Sequence, residues 1–414
     1  MSSRILVDLA KLMKVRDDEG LMKRERVISS AQGAEITVAG GKKVLNFCAN
    51  NYLGLASHPE VLEAAAETLR TRGFGLSSVR FICGTQDIHR ELERRTAEFL
   101  GTDDAILYSS CFDANGGVFQ PFLDEECAII ADQLNHASII DGVRLCKAQR
   151  HVYSHCHTGT GLRNFDGREL PGLEDILMLD SVRNARYRLV ATDGVFSMNG
   201  DIAPLDAIVD MCDRHDALLM VDDSHGTGYI GRTGRGSLER HGVLGRADLV
   251  TTTFGKACGG ASGGVTAGRK VLIEWLRQTS RPYIFSNTMA PPVVGGTLKV
   301  LDIIERSTEL RDRVHENAAY FRNGIKKAGF SIIDGETAIV PILFGMYPND
   351  AVLVQQFADD LLEEGIYAIG FFYPVVARGQ SRIRVQLSAA HTREHLDMAI
   401  AAFEKVGKKH GITG

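Results

Sequence analysis

Short apolar runs rich in Val, Ile, Leu and Thr recur through the middle of the chain, at residues 105–108, 128–131, 188–192, 218–221 and 249–253. Each is strand-length and continuous rather than alternating, the pattern of strands covered on both faces. Stretches with apolar residues three and four apart separate most of them, as at 204–214. Alternation of this kind predicts an α/β fold around a mostly parallel sheet with helices on both sides.

Upstream, Ile5, Leu6, Leu9, Leu12 and Met13 fall on one helical stripe. It predicts an arm helix packed on its own chain or on a partner subunit. Alternating segments at 35–38 and 44–47 predict a small hairpin, and residues 59–72 a helix. Beyond Pro291 and Pro292 the pattern shifts to a long helix over 293–327, short strands at 330–333 and 338–343, another helix and a run at 381–387. That order predicts a smaller α+β domain. The expected division is an arm and hairpin over 1–60, a large domain over 61–292 and a small C-terminal domain over 293–414. No internal repeat or low-complexity tract interrupts them.

Composition narrows the function. The 414 residues are 44% apolar and 24% charged, which excludes a disordered chain and suits two or three units. Basic residues number 47 against 52 acidic, a net charge of −5, so the surplus of a nucleic-acid binder is missing. No apolar run approaches the ~18 residues of a membrane span. Eight cysteines without a Cys-x-x-Cys pair read as thiols of a reducing compartment. No apolar leader core precedes a cleavage site, and Asp8, Asp17, Asp18 and Glu19 argue against an intact mitochondrial presequence. The expected location is the cytoplasm, or the mitochondrial matrix after loss of a transit peptide.

Open α/β sheets bind ligands at the carboxyl ends of their strands, so the residues after each strand are the candidates. After 105–108, small residues from Ser109 to Gly117 open a helix. Its first N–H groups would suit a phosphate; an ordinary capped helix has the same pattern. After 218–221 come Asp222, Asp223, Ser224 and His225, either a ligand site or an N-cap with a solvated neighbour. Gly226, Gly228 and Gly231 then spell G-x-G-x-x-G. No helix opens behind them and several strands come first, so the dinucleotide reading fails.

After 249–253 comes Lys256 in a glycine-rich loop. Val250 and Ala257 exclude a Walker loop. A lone lysine is ordinarily a surface residue, but one at a strand end, deprived of solvent, can act as a nucleophilic amine. His136 follows the strand at 128–131. His151, His155, Cys156 and His157 cluster by composition, but their spacing fits no zinc pattern and no metal is expected. One ligand accounts for four strand ends together. A phosphate at 110–112, an acid at Asp222, an imidazole at His136 and an amine at Lys256 describe a pyridoxal 5'-phosphate site.

The segments FCANNYLGL at 47–55, SVRFICGTQD at 78–87, 108–117, 135–142 and 222–225 are similar to the α-oxoamine synthases. So are Phe285, Ser286 and Asn287, GFFYPVV at 370–376, and Arg382, Ile383 and Arg384 with 388–392. These are pyridoxal-phosphate enzymes of the type I aminotransferase fold. The resemblance implies that fold, with a seven-stranded sheet in the large domain. It implies an acyltransferase condensing glycine with acetyl-CoA to 2-amino-3-oxobutyrate and CoA, reversibly, in threonine catabolism. Sister enzymes making 8-amino-7-oxononanoate, 5-aminolevulinate or 3-ketosphinganine share the cofactor motifs and are the alternative.

The resemblance also implies roles. Lys256 bonds the cofactor aldehyde and, once freed, takes the glycine Cα proton. Asp222 pairs with the ring nitrogen, His225 lies near the ring hydroxyl, and His136 stacks on the ring and donates to the developing oxyanion. Cys111, Phe112 and Thr253 hold the cofactor, with Ser286 and Asn287 reaching its phosphate from the other subunit. Ser197 sits beside the cofactor. Arg384, helped by Asn50 and Ser197, takes the substrate carboxylate. A site shared in this way implies an obligate homodimer, and the pathway makes a threonine dehydrogenase a candidate partner. Residues 157–170 depart from the family pattern as an insertion of about a dozen residues that carries none of these positions.

Overall fold

The computed structural model describes residues 3–165 and 167–413. It divides into two compact units. One consists of the chain up to Ala49, Met198–Gly200 and the chain from Arg313 onward; the other consists of Asn50–Ser197 and Asp201–Asp312.

A seven-stranded sheet forms the second unit, in the order Asp104–Tyr108, Gly264–Gly268, Leu249–Thr253, Leu218–Asp222, Arg188–Asp193, Ala128–Asp132 and Gln149–Tyr153. The last five run parallel, and Gly264–Gly268 pairs antiparallel with both of its neighbours. That strand escapes the hydrophobic pattern because close packing demands glycine at both ends. A Cβ on Gly264 would lie 2.3 Å from the Cys111 nitrogen, and one on Gly268 2.3 Å from the Asp248 carbonyl. Ile106, Ile129, Leu189, Met220 and Leu249 from the strands pack with Ala114, Phe119, Ile139 and Ile273 from the helices in one buried core. Each such large side chain contributes roughly 1.5–3 kcal/mol on burial.

The long helix expected over 293–327 is two helices, Pro291–Arg306 and Glu309–Lys327. Ser307 is extended, at φ −151° and ψ 146°, and its hydroxyl accepts the Glu309 N–H at 3.1 Å. Arg311 then donates to the Ile304 carbonyl at 2.7 Å, closing the broken turn. The Pro291–Arg306 helix packs closely on Pro59–Arg72, where a Cβ on Gly295 would meet Thr68 Oγ1 at 1.8 Å. The second unit therefore runs on to Asp312 instead of ending near Pro292.

In the first unit, Glu35–Thr37 and Lys43–Asn46 form the expected hairpin, and Ile366–Tyr367 adds a parallel strand. The N-terminal segment thus belongs to the same unit as the C-terminal one rather than standing apart. A second sheet joins Ile339–Leu343, Arg382–Gln386 and Gly370–Phe371, all antiparallel. The strand expected at 330–333 is reduced to one bridge, Ile332 to Ile342. Phe330 meets Phe357 and Phe403 edge to face, and those two rings pack tilted against each other. The Arg4–Asp18 helix buries none of its residues.

Most of a two-stranded hairpin, Leu162–Phe165 against Arg168–Pro171, falls within residues 157–170, the segment expected to be an insertion; Asp166 lies outside the described residues. No helix among the described residues is long and apolar enough to cross a membrane.

Candidate active site

Pairing register brings three strand ends of the second unit together. Asp222 pairs with Asp193 on one side and with Thr251 on the other. Asp222 is 4% exposed. One of its oxygens accepts from Asn115 Nδ2 at 2.6 Å, the other from the Ser224 N–H at 2.9 Å. Asn115 also donates to Ser138 Oγ at 2.8 Å and accepts from Thr251 Oγ1 at 2.7 Å. A buried carboxylate is thereby aimed by two neutral donors.

His136 caps the Ala137–Leu145 helix. Its Nδ1 lies 2.6 Å from Ser138 Oγ, and its N–H donates to Asp193 Oδ1 at 3.3 Å. The Ser138 N–H donates to Nδ1 at 3.3 Å, so Nδ1 is the acceptor and Nε2 the protonated nitrogen. Burial first, then the charge of Asp222, push the Asp193 carboxyl well above the usual range. Lys256 follows the Leu249–Thr253 strand in a turn, half-buried. Its charge is felt at Asp193 and at Cys111. Thr253 Oγ1 accepts from the Gly255 N–H at 3.0 Å and donates to the Gly263 carbonyl at 3.3 Å, holding the base of that loop.

The first-turn N–H groups of Cys111 and Phe112 have no partner inside the Cys111–Gly116 helix. Ser110 caps that helix by accepting from the Asp113 N–H at 3.1 Å. The Cys111 thiol is buried and takes a bond from Ser224 Oγ at 3.2 Å. Burial, then Asp222, hold it protonated, so its use is structural rather than nucleophilic. Phe112 is 50% exposed. Asn287 lies beside Ser109 of its own chain, whose hydroxyl donates to the Asn287 carbonyl at 2.9 Å; Ser286 precedes it at the end of the Arg281–Phe285 helix. Ser197 is half-buried in the turn after Arg188–Asp193.

His225 Nδ1 lies 2.8 Å from the buried Tyr52 hydroxyl, which also reaches Asn50 Oδ1 at 3.4 Å. Arg384 belongs to the first unit, on the Arg382–Gln386 strand. It is buried there, with its guanidinium 4.8 Å from the centre of the Phe371 ring.

Asp223 is no solvated neighbour. It accepts from Ser237 Oγ at 2.5 Å and from Thr227 Oγ1 at 2.9 Å, and burial pushes its carboxyl up to about 7. A Cβ on Gly226 would lie 2.3 Å from it and one on Gly236 1.6 Å. The glycines after Asp222 exist to let the chain fold around this carboxyl.

Residues 42–403 match the model of the class I and II aminotransferases. The chain belongs to that family. It is 56% identical over 394 residues to the 2-amino-3-ketobutyrate coenzyme A ligase of Escherichia coli (strain K12), covering 95% of each chain. It is 48% identical over 393 residues to the mitochondrial enzyme of that name from Homo sapiens, covering 95% of this chain and 90% of that one. An 8-amino-7-oxononanoate synthase from Petrotoga mobilis is 42% identical over 403 residues, 97% and 98% of the two chains. Among solved structures, serine palmitoyltransferase from S. paucimobilis, with bound PLP, superposes with a TM-score of 0.90 at 28% identity. The match covers 99% of this chain and all of that one.

In this member of the class I and II aminotransferase family, Asn115, Ser138, Thr251, Asp193 and Tyr52 carry contacts that sequence reasoning did not single out. Each is a buried polar group, and no periodicity marks such a residue. The available signal for Asn115 was an amide inside a short helix opening at a strand end.

Proposed function

We propose that this chain is a pyridoxal-phosphate-dependent acyltransferase that condenses glycine with acetyl-CoA, giving 2-amino-3-oxobutyrate and CoA. The observation that carries the reading is Asp222, a carboxylate buried at a strand end and aimed by two neutral donors, Asn115 and the Ser224 N–H. A carboxylate held in this way favours the protonated form of a ring nitrogen placed against it. Lys256 lies one strand over. The carboxylate and amine that the cofactor requires are therefore both present, and the residues fit the group. The higher identity to the 2-amino-3-ketobutyrate coenzyme A ligases than to 8-amino-7-oxononanoate synthase favours acetyl-CoA and glycine as substrates.

When bound, the cofactor supplies an electron sink for charge developing at the amino-acid Cα. Asp222 would hold the proton on its ring nitrogen, and His225 would face the ring hydroxyl with a nitrogen oriented by Tyr52. The N–H groups at 111–112 would take the phosphate, with Thr253 beside them. Lys256 would bond the aldehyde at rest and afterwards remove the Cα proton through Nζ. His136, protonated at Nε2, would stack on the ring and donate to the oxygen that gains charge when the thioester is attacked. Arg384, Asn50 and Ser197 are assigned to the substrate carboxylate, where a guanidinium can bind in bidentate fashion.

A homodimer belongs to the same proposal, with Ser286 and Asn287 serving the partner's phosphate site. Exposed Phe74, Phe81, Ile82 and Phe285 support a covered face. The test is CoA thiol release by the full-length holoenzyme with a panel of amino acids and acyl-CoAs. Turnover confined to glycine and acetyl-CoA is expected. A preference for longer acyl chains, or for another amino acid, would overturn the assignment.

A further inference from the structure

His155 stands at the centre of a buried cluster that none of these roles uses. The side chain is 4% exposed and lies between two carboxylates, with Nδ1 2.9 Å from Asp132 and Nε2 2.5 Å from Asp201. Phe196 meets its ring edge-on at 4.4 Å, and Phe165 of the two-stranded hairpin lies at 5.1 Å. Gln133 donates to the Phe165 carbonyl at 3.2 Å, fastening that hairpin to the same corner. The two carboxylates lead toward the candidate site. Asp132 Oδ1 accepts from the Leu134 N–H at 2.8 Å and so shapes the turn that presents His136. The Asp201 carbonyl accepts from the Phe196 N–H at 3.0 Å, the Ala203 N–H donates to the Gly194 carbonyl at 3.0 Å, and Val195 bridges Ile202. The turn carrying Ser197 is thus pinned immediately before Ser197 itself.

We propose that His155 is a positioning residue, an imidazolium that ties Asp132 to Asp201 and thereby fixes Ser197 for the substrate. The inference rests on the proposed role of Ser197. Burial alone would discharge the ring, but hydrogen bonds to the two carboxylates override it and raise its pKa to about 12. The ring is therefore charged throughout the physiological range. The same cluster also brings Cys156 Sγ to 3.7 Å from Nε2, within reach of a shared metal ion. A metal would need a neutral imidazole and a thiolate. Here both ring nitrogens face carboxylates at hydrogen-bond distance, and burial keeps the Cys156 thiol up.

The test is a double-mutant cycle on the full-length holoenzyme, comparing His155→Gln, Ser197→Ala and the pair. Each single change is expected to raise the glycine KM about tenfold, the scale of one lost hydrogen bond to a charged group. The pair is expected to raise it no further, with the absorbance of bound cofactor unchanged. Multiplication to about a hundredfold would show independent sites and overturn the inference. Should His155→Gln fail to fold, Asp201→Ala replaces it in the cycle with the same expectation, since it cuts the same link from the half-exposed end. A normal KM in His155→Gln beside an impaired Ser197→Ala sinks the inference alone. A normal KM in Ser197→Ala sinks the role of Ser197 and the inference with it. Zinc bound at one equivalent and lost in His155→Gln would overturn it in favour of a metal site.

Discussion

Replacing Asn115 with alanine tests the chain's hold on Asp222. The change deletes the 2.6 Å bond to the carboxylate and leaves Ser138 Oγ and Thr251 Oγ1 without their 2.8 and 2.7 Å partners. A hydrogen bond to a charged group is worth about 1.5–3 kcal/mol, and each stranded neutral hydroxyl costs about 1–3 kcal/mol when it stays dry. Ser138 keeps His136 Nδ1 as a partner, so Thr251 carries most of the second cost. Destabilisation of about 2.5–6 kcal/mol follows. Cofactor binding should suffer separately, because Asp222 loses one of the two neutral donors that aim it. Loss of about 1.5–3 kcal/mol of orientation corresponds to a cofactor Kd weakened about ten- to a hundredfold. Urea unfolding of the apoprotein measures the first effect, and equilibrium titration with pyridoxal phosphate the second. A folded variant with cofactor affinity within about twofold of wild type would refute the reasoning.

Three further outcomes are expected. Lys256→Ala should lower kcat by about 10²–10⁴-fold or more, the range for loss of a general base, while circular dichroism stays native; retention of turnover would contradict its role. Gly236→Ala should cost at least about 3 kcal/mol on chemical denaturation, because φ is +95° and the new Cβ would sit 1.6 Å from Asp223. Gly40→Ala, at φ +85° with nothing nearby, should cost only about 1 kcal/mol; equal losses would remove the contact argument. His391 is buried, its Nδ1 accepting from the Ser388 N–H and its Nε2 donating to the Asn46 carbonyl, and burial lowers its pKa to about 4. The unfolded chain protonates first, so stability is full above pH ~6.5 and declines by about 3 kcal/mol as pH falls toward 4. His391→Phe should flatten that slope in pH-dependent unfolding, and an unchanged slope would assign it to other groups.

The parallel strands and the residues at their ends were legible because a continuous apolar run followed by a polar break is a strong signal. Asp222, His136 and Lys256 all lie at such breaks. The strand at 264–268 was not legible, because the backbone contacts that need glycine there erase its apolar character. The interruption at Ser307 was hidden for a different reason: serine and threonine are mild helix breakers, and the turn is closed by Arg311, several residues away. Asp223 looked like a surface cap because Gly226 and Gly236 are informative only once the chain is folded around it. The Asn115 bonds and the clamp on His155 join residues far apart in the chain, so only folding brings them together.

The most direct test of the whole account is the absorbance of cofactor bound to the purified full-length protein, recorded before and after glycine and then with acetyl-CoA. The account predicts a band that shifts on addition of glycine, followed by release of CoA thiol when acetyl-CoA is supplied. A band indifferent to glycine, or a glycine response with no CoA released, would contradict it.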